Sequence, residues 1–166
     1  MKNLFLFMAI TLVGLGGCSE KRSQPLAIDN SLTQEEIAAG VLSPEVMWKM
    51  GRVGLASLSP DASRLLYTVT WYNMQENRGV TAIYVRDAAS GEVAQLTDFS
   101  SNNSDPKWNA DGSKIYFLSD LSGSSQIWEM AADGQNPRQL SKLDKDIEGF
   151  GVNPAGDKVF YVQGVQ

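Results

Sequence analysis

The chain has 166 residues with 14 Lys+Arg, 19 Asp+Glu, one Cys and no His. Because imidazole is absent, this chain cannot by itself assemble a Ser-His-Asp or Cys-His centre, and a zinc site would lack its commonest nitrogen ligand. The single Cys excludes an internal disulfide, the net charge of −5 argues against a nucleic-acid partner, and we expect no cofactor.

The N-terminus has the proportions of a signal peptide, which we place at residues 1–17. Its apolar stretch, 4–13, is too short for a bilayer of about 30 Å, which needs roughly 20 residues. The stretch leads into a run that resembles the lipobox of bacterial lipoproteins: Leu15, Gly16, Gly17 and Cys18. By that resemblance Cys18 is lipidated and anchors the chain at a membrane surface of the bacterial cell envelope, with the leaflet left open. The alternative is an ordinary secretory peptide with a buried free Cys.

Two short segments separate this leader from the rest. Residues 18–32 are polar and have no hydrophobic period, which predicts a flexible tether. Residues 33–52 predict a short helical lead-in. Thr33 and Glu36 have capping-box spacing at the start of a first helix. Ser43-Pro44 supplies an N-cap and an N1 proline for a second helix, which we expect to end at Gly51.

From Val53 onward the sequence repeats, with spacings of about 50 and then about 44 residues. The stretches that begin at Leu58, Trp108 and Val152 align with one another. A second motif aligns between them, beginning once at Ile83 and once at Ile127. Two interleaved motifs with one period indicate a single repeating supersecondary unit.

Each repeat predicts four strands joined by tight turns. Pro-Asp-Ala-Ser, Ala-Asp-Gly-Ser and Pro-Ala-Gly-Asp are turn sequences, and the runs after them are β-branched and aromatic. Four strands in 40–50 residues make one β-propeller blade. We therefore predict an all-β fold, an incomplete β-propeller of about two and a half four-stranded antiparallel blades, with blades at about 53–97, 104–141 and 147–166.

Aromatic side chains give the first candidates for contact. Trp108 and Trp128 occupy repeat positions, so we expect them to pack between blades rather than to stack on a ligand. Trp71, Tyr72 and Asn73 open an insertion that the second repeat lacks. Because insertions between blade strands lie on one rim, we predict a rim contact for a partner at these three residues. No acidic turn residue has calcium-loop spacing, so no metal site is predicted.

The turn motif Ser59-Pro60-Asp61-Ala62-Ser63-Arg64 and its second copy at 109–117 resemble blades of two kinds of protein. One is the Tol-system periplasmic propeller, and the other is the N-terminal propeller of serine peptidases of the prolyl oligopeptidase family. The lead-in 42–53 and the run 67–73 resemble the start of the dipeptidyl-peptidase and acylaminoacyl-peptidase branch of that family. The resemblance covers the chain from Leu42 to its end.

That resemblance implies a propeller of seven or eight blades followed by an α/β-hydrolase domain with a Ser-Asp-His triad. This chain has neither G-x-S-x-G nor His, so it supplies no catalytic residue and we expect it to be inactive alone. We expect an N-terminal piece of an envelope-anchored serine peptidase whose propeller gates short-peptide access to a missing hydrolase domain. The alternative is a non-enzymatic, Tol-like propeller lipoprotein that binds an envelope protein or polysaccharide.

Overall fold

The computed structural model describes residues 25–164, except the side chain of Leu55, so the predicted signal peptide and Cys18 lie outside the described residues. Two short helices come first, α1 (Gln34–Ala39) and α2 (Pro44–Trp48). The strands that follow are β1 (Arg52–Leu58), β2 (Arg64–Asn73), β3 (Arg78–Asp87), β4 (Val93–Gln95), β5 (Asn103–Trp108), β6 (Lys114–Ser119), β7 (Gln126–Ala131), β8 (Arg138–Gln139), β9 (Ile147–Val152) and β10 (Val159–Gln163). No helix in this part of the chain is long and apolar enough to cross a membrane.

Each sheet contains strands in chain order, and every pairing is antiparallel. Strands β1–β4 form the first four-stranded sheet, β5–β8 form the second, and β9 pairs with β10. We call these sheets blade 1, blade 2 and blade 3. The prediction of an all-β, partial β-propeller is confirmed by this topology.

The turn between β1 and β2 shows why the repeated motif folds as predicted. The Ser59 hydroxyl donates to Asp61 Oδ1 at 2.5 Å, and the Ser63 amide donates to the same oxygen at 3.1 Å. These hydrogen bonds, with that of the Ser63 hydroxyl, lower the pKa of Asp61 to about 2. Asp111 accepts from the Ser113 amide at 2.8 Å in the second copy of the turn. In both copies the acidic side chain therefore caps its own turn.

Blade 2 is packed on both faces because its side chains alternate along β6. Ile115 and Phe117 face blade 1 in a cluster with Leu66, whereas Tyr116 and Leu118 face blade 3. Residues of blade 3 complete the second cluster, namely Ile147 and Phe150. The middle sheet is thus the core of the described structure, and each neighbouring sheet covers one of its faces.

Trp108 and Trp128 pack against the first of these clusters, which confirms their predicted place between blades. The Arg64 guanidinium lies 4.6 Å from the centre of the Trp108 ring and donates to the Gly112 carbonyl at 2.9 Å. A side chain of blade 1 therefore holds both a strand and a turn of blade 2. The backbones of the two blades also approach each other closely at Gly134, where a Cβ would lie 3.1 Å from the Leu96 carbonyl oxygen.

The N-terminal segment differs in two places from the sequence expectation. Leu26, within the predicted tether, is 3% exposed, and its amide donates to the Phe99 carbonyl at 2.9 Å. A single leucine in a polar segment produces no hydrophobic periodicity, so the sequence could not predict this contact. Helix α2 ends at Trp48 rather than at Gly51, because the Lys49 amide closes the last turn onto Met47 and Val46. The predicted capping box of α1 is present.

The turns that follow β1 and β5 each have a residue with positive φ at the same position of the repeated motif. Substitutions at this position test whether the backbone conformation of the turn matters for stability. Gly112 has φ of 74° and Ala62 has φ of 58°. We expect Gly112→Ala to lower the free energy of unfolding by about 1–2 kcal/mol, since an L side chain is strained there and its Cβ would meet Pro60 Cδ at 3.3 Å.

Ala62→Gly is the matched control, because relief of strain offsets the greater freedom of the unfolded chain, and we expect a change within about 0.5 kcal/mol. Chemical denaturation of the full chain measures both variants. Equal losses in the two variants would contradict this account of the turn.

Candidate functional site

The insertion predicted from sequence lengthens one hairpin of blade 1. Strands β2 and β3 have 10 residues each, whereas β6 and β7 have 6 each. The long hairpin pairs to its end at Asn73 and Arg78, and Asn77 in the turn has φ of 48°. The Asn73 side-chain oxygen accepts from the Glu76 amide at 2.9 Å, which fixes the turn. The hairpin therefore ends in a hydrogen-bonded turn that begins at Asn73.

Trp71 lies within the paired part of the hairpin, opposite Val80, and not in the turn at its tip. Its Nε1 donates to the Tyr84 hydroxyl at 3.2 Å, and the Tyr84 and Tyr67 rings stack with centroids 5.8 Å apart. Desolvation by this packing raises the pKa of Tyr84. Trp71 is half-buried, and its hydrogen bond to Tyr84 joins β2 to β3 within the hairpin.

Tyr72 contacts helix α2 of the lead-in. Its ring centroid is 5.2 Å from that of Trp48 in an edge-on arrangement. The Arg52 guanidinium lies 4.6 Å from the centroid of Trp48 and 4.4 Å from that of Tyr72. One cation therefore bridges two aromatic rings from different elements, and this stacking holds α2 against β2.

The extended residues before α1 are tied to the same hairpin. The Asn73 side-chain amide donates to the Ala27 carbonyl at 2.7 Å. The Lys49 ammonium donates to the Ser31 carbonyl and to Glu36 Oε2, each at 3.0 Å. The Thr33 backbone amide and then Lys49 lower the pKa of Glu36. Lys49 thus joins residues 27–49 into one unit, and the hydrogen bond between Asn73 and Ala27 ties that unit to blade 1.

A groove of ≈ 650 Å³ lies between this unit and the hairpin. Its walls contain apolar side chains, two carboxylates and one ammonium group: Ala27, Ile28, Asp29, Pro44, Glu45, Trp48, Lys49, Tyr72, Asn73, Met74 and Gln75. Two of the three predicted rim residues, Tyr72 and Asn73, line it. A contact between them and a partner stays a prediction.

A second cavity, of ≈ 510 Å³, lies between the first strands of blades 1 and 2. Asp105, in a bulge of β5, has φ of 49° and forms an ion pair with Lys107. The Lys107 ammonium lies 4.3 Å from the centre of the Phe150 ring. The first strand of blade 2 therefore presents two charged side chains at this cavity. In propellers the blades surround a central channel.

Apart from Tyr72 and Asn73, sequence reasoning missed residues that build these two cavities. Pro106 follows Asp105, and a proline inside a strand signals a bulge, so this feature was detectable. Arg52 and Lys49 gave no signal, because their partners are set by tertiary packing. Among residues 25–164 no group of three or more His, Cys, Asp or Glu is arranged to hold a metal ion.

The model of one protein family, described as the TolB beta propeller domain, matches residues 33–166. A dipeptidyl-peptidase 5 from Porphyromonas endodontalis is 29% identical over 83% of this chain and 20% of that protein. A dipeptidyl-peptidase 5 from Porphyromonas gingivalis is 32% identical over 99% of this chain and 22% of that protein. The chain therefore spans about a fifth of the length of these curated relatives.

Solved structures agree on the fold. A TolB-type protein from Agrobacterium tumefaciens has a TM-score of 0.55 and 29% identity, over 67% of this chain and 39% of its own. The Pyrococcus horikoshii acylaminoacyl peptidase has a TM-score of 0.58 and 17% identity, over 69% of this chain and 17% of its own. The second of these supports the propeller architecture alone.

The close approach of the lead-in to blade 1 can be tested at Gly51. A Cβ at this position would lie 2.6 Å from Val69 Cγ1 and 2.8 Å from the Trp71 ring, both fixed in the sheet. We expect Gly51→Ala to lower the free energy of unfolding by about 1–3 kcal/mol, as overpacking does.

Gly149→Ala in β9 is the control, since nothing lies within 4 Å of a Cβ there. We expect that variant to unfold like the parent chain in a denaturant titration. If Gly51→Ala also unfolds like the parent, the lead-in does not dock on blade 1 as described.

Proposed function

The chain belongs to the TolB β-propeller domain family, and from that premise we propose that it forms the first blades of a propeller in an envelope-anchored serine peptidase of the prolyl oligopeptidase family. The observation that carries the proposal is the match to two dipeptidyl-peptidases, one of which aligns with 99% of this chain. That match includes the lead-in as well as the blades, so the similarity exceeds the repeat motif alone.

In this proposal the blades control access and another domain performs the reaction. The 166 residues contain no His, so the Ser-Asp-His triad comes from an α/β-hydrolase domain encoded outside them. Peptide-bond hydrolysis there proceeds through an acyl-enzyme. In the closed propeller the blades would form the wall of a central channel, and Asp105 and Lys107, which line the cavity between blades 1 and 2, would be part of that wall. Short peptides pass such a channel and folded proteins do not.

A second candidate is a non-enzymatic propeller lipoprotein that binds an envelope protein or a polysaccharide. The family model and the 29% identical TolB-type structure favour it. The apolar groove beside Tyr72 would then serve as part of the contact surface. The two candidates differ in what the reading frame encodes after blade 3, either a G-x-S-x-G elbow with Asp and His or further blades only.

Either candidate includes a lipid anchor at Cys18. The only Cys of the chain follows Leu15-Gly16-Gly17, which is lipobox spacing. An acyl chain adds about 0.8 kcal/mol per buried methylene, so several chains on one residue hold a protein firmly at a membrane. The anchored chain therefore lies in the cell envelope, with blade 1 the part of the propeller nearest to the anchor in sequence.

The peptidase proposal predicts a difference in substrate size. The protein expressed from its complete reading frame should release dipeptides from short chromogenic peptides and leave a folded protein substrate intact. A fluorophosphonate that phosphonylates the active-site serine, with loss of fluoride, should abolish this activity. Absence of both hydrolysis and fluorophosphonate labelling would favour the binding protein. Equally fast cleavage of folded protein would contradict the gating role.

The anchor predicts that Cys18→Ser abolishes acylation. Cells fed an alkyne fatty acid should label the parent chain and not the variant, and only the parent should partition into detergent. Ser19→Ala is the matched control, because it leaves the thiol and the lipobox intact, and we expect it to label like the parent. Equal labelling of Cys18→Ser would contradict the anchor.

A further inference from the structure

The groove between the lead-in and the long hairpin of blade 1 has an apolar wall. Ile28 and Trp48 come from the N-terminal unit 27–49, and Tyr72 and Met74 come from the hairpin. Met74 is 55% exposed, so this wall is open to solvent. A volume of ≈ 650 Å³ is within the range of sites that bind small ligands or peptide side chains.

The charges around this wall are unbalanced. Among the residues that line the groove, Asp29 and Glu45 are acidic and Lys49 is basic. The Lys49 ammonium is already bound to Glu36 at 3.0 Å and to the Ser31 carbonyl at 3.0 Å. The two lining carboxylates therefore retain a net negative charge next to an apolar surface.

Both carboxylates are ionised at neutral pH and accessible. The Ser31 hydroxyl and amide hold the pKa of Asp29 below its usual value. The backbone amide of Glu45 and the Ser43 hydroxyl do the same for the pKa of Glu45. Asp29 and Glu45 are both exposed, so each carboxylate can bind a cation from solution without unfolding residues 27–49.

We propose that this groove binds an extended peptide segment that carries an apolar side chain next to a lysine or arginine. The apolar side chain lies against Trp48, Tyr72 and Met74, and the cation lies between the carboxylates of Asp29 and Glu45. A second copy of this chain is a poor occupant, because its net charge is −5 and the groove is acidic. The inference does not depend on peptidase activity.

The probe is the blocked peptide acetyl-Phe-Lys-Lys-amide, titrated calorimetrically into the protein expressed from its complete reading frame. Two comparison peptides separate the contributions: acetyl-Phe-Glu-Glu-amide reverses the charge, and acetyl-Ser-Lys-Lys-amide removes the apolar side chain. We expect the first probe to bind at least about tenfold more tightly than either one, with an affinity that falls as salt is added.

Asp29→Asn and Glu45→Gln should each weaken binding about threefold, the size expected for an exposed ion pair. Met74→Ala should weaken the Phe-containing probe and leave the Ser-containing peptide unchanged. Glu35→Gln is the matched control, because Glu35 is exposed on α1 and does not line the groove, and we expect no change. All four substitutions are at exposed positions, and circular dichroism checks that each variant is folded.

Three outcomes would overturn the proposal. Equal affinity for the Lys and Glu peptides would show that the carboxylates do not select a cation. Unchanged affinity in the Asp29→Asn and Glu45→Gln variants would place the probe elsewhere. No binding by the folded, complete protein would show that another part of the polypeptide covers the groove.

Discussion

Each four-stranded sheet in this protein has two apolar faces, and the rest of the structure follows from the need to cover both. In β6, Ile115 and Phe117 point to blade 1 while Tyr116 and Leu118 point to blade 3, and all four are less than 10% exposed. Blade 2 alone would leave both of these pairs in water, so sheets of this kind are stable only when other sheets pack on their faces. In the second strand of blade 3, where no further sheet is packed among the described residues, the apolar side chain of Phe160 is 69% exposed.

The lead-in helps to cover the apolar face of blade 1 that points away from blade 2. On the face of blade 1 that points away from blade 2, Val69 and Val80 are buried, and Gly51 lies directly against Val69. Arg52, stacked between Trp48 and Tyr72, keeps the lead-in in that position. The lead-in thus packs on blade 1 through Gly51 and, separately, through Trp48, and the groove lies beside the Trp48 contact.

Sequence predicted the features that depend on local chemistry and repetition. The blades, the turn carboxylate of Asp61 and the packing of Trp108 and Trp128 all follow from residues that recur at fixed spacing. Features that depend on distant partners were not predictable, such as Leu26 docking near Phe99 and Lys49 joining two segments. The sequence also could not show that, among the described residues, the indole N–H groups of Trp108 and Trp128 are buried without a hydrogen-bond acceptor.

The central claim is that these blades belong to a propeller that covers a peptidase site, and an experimental structure of the complete protein tests it most directly. The account predicts a closed propeller in which β1, β5 and β9 surround a channel, with one end of that channel facing a Ser-Asp-His centre in an α/β-hydrolase domain. A closed propeller that stands alone, with both ends of the channel open to solvent and no such domain, would contradict it.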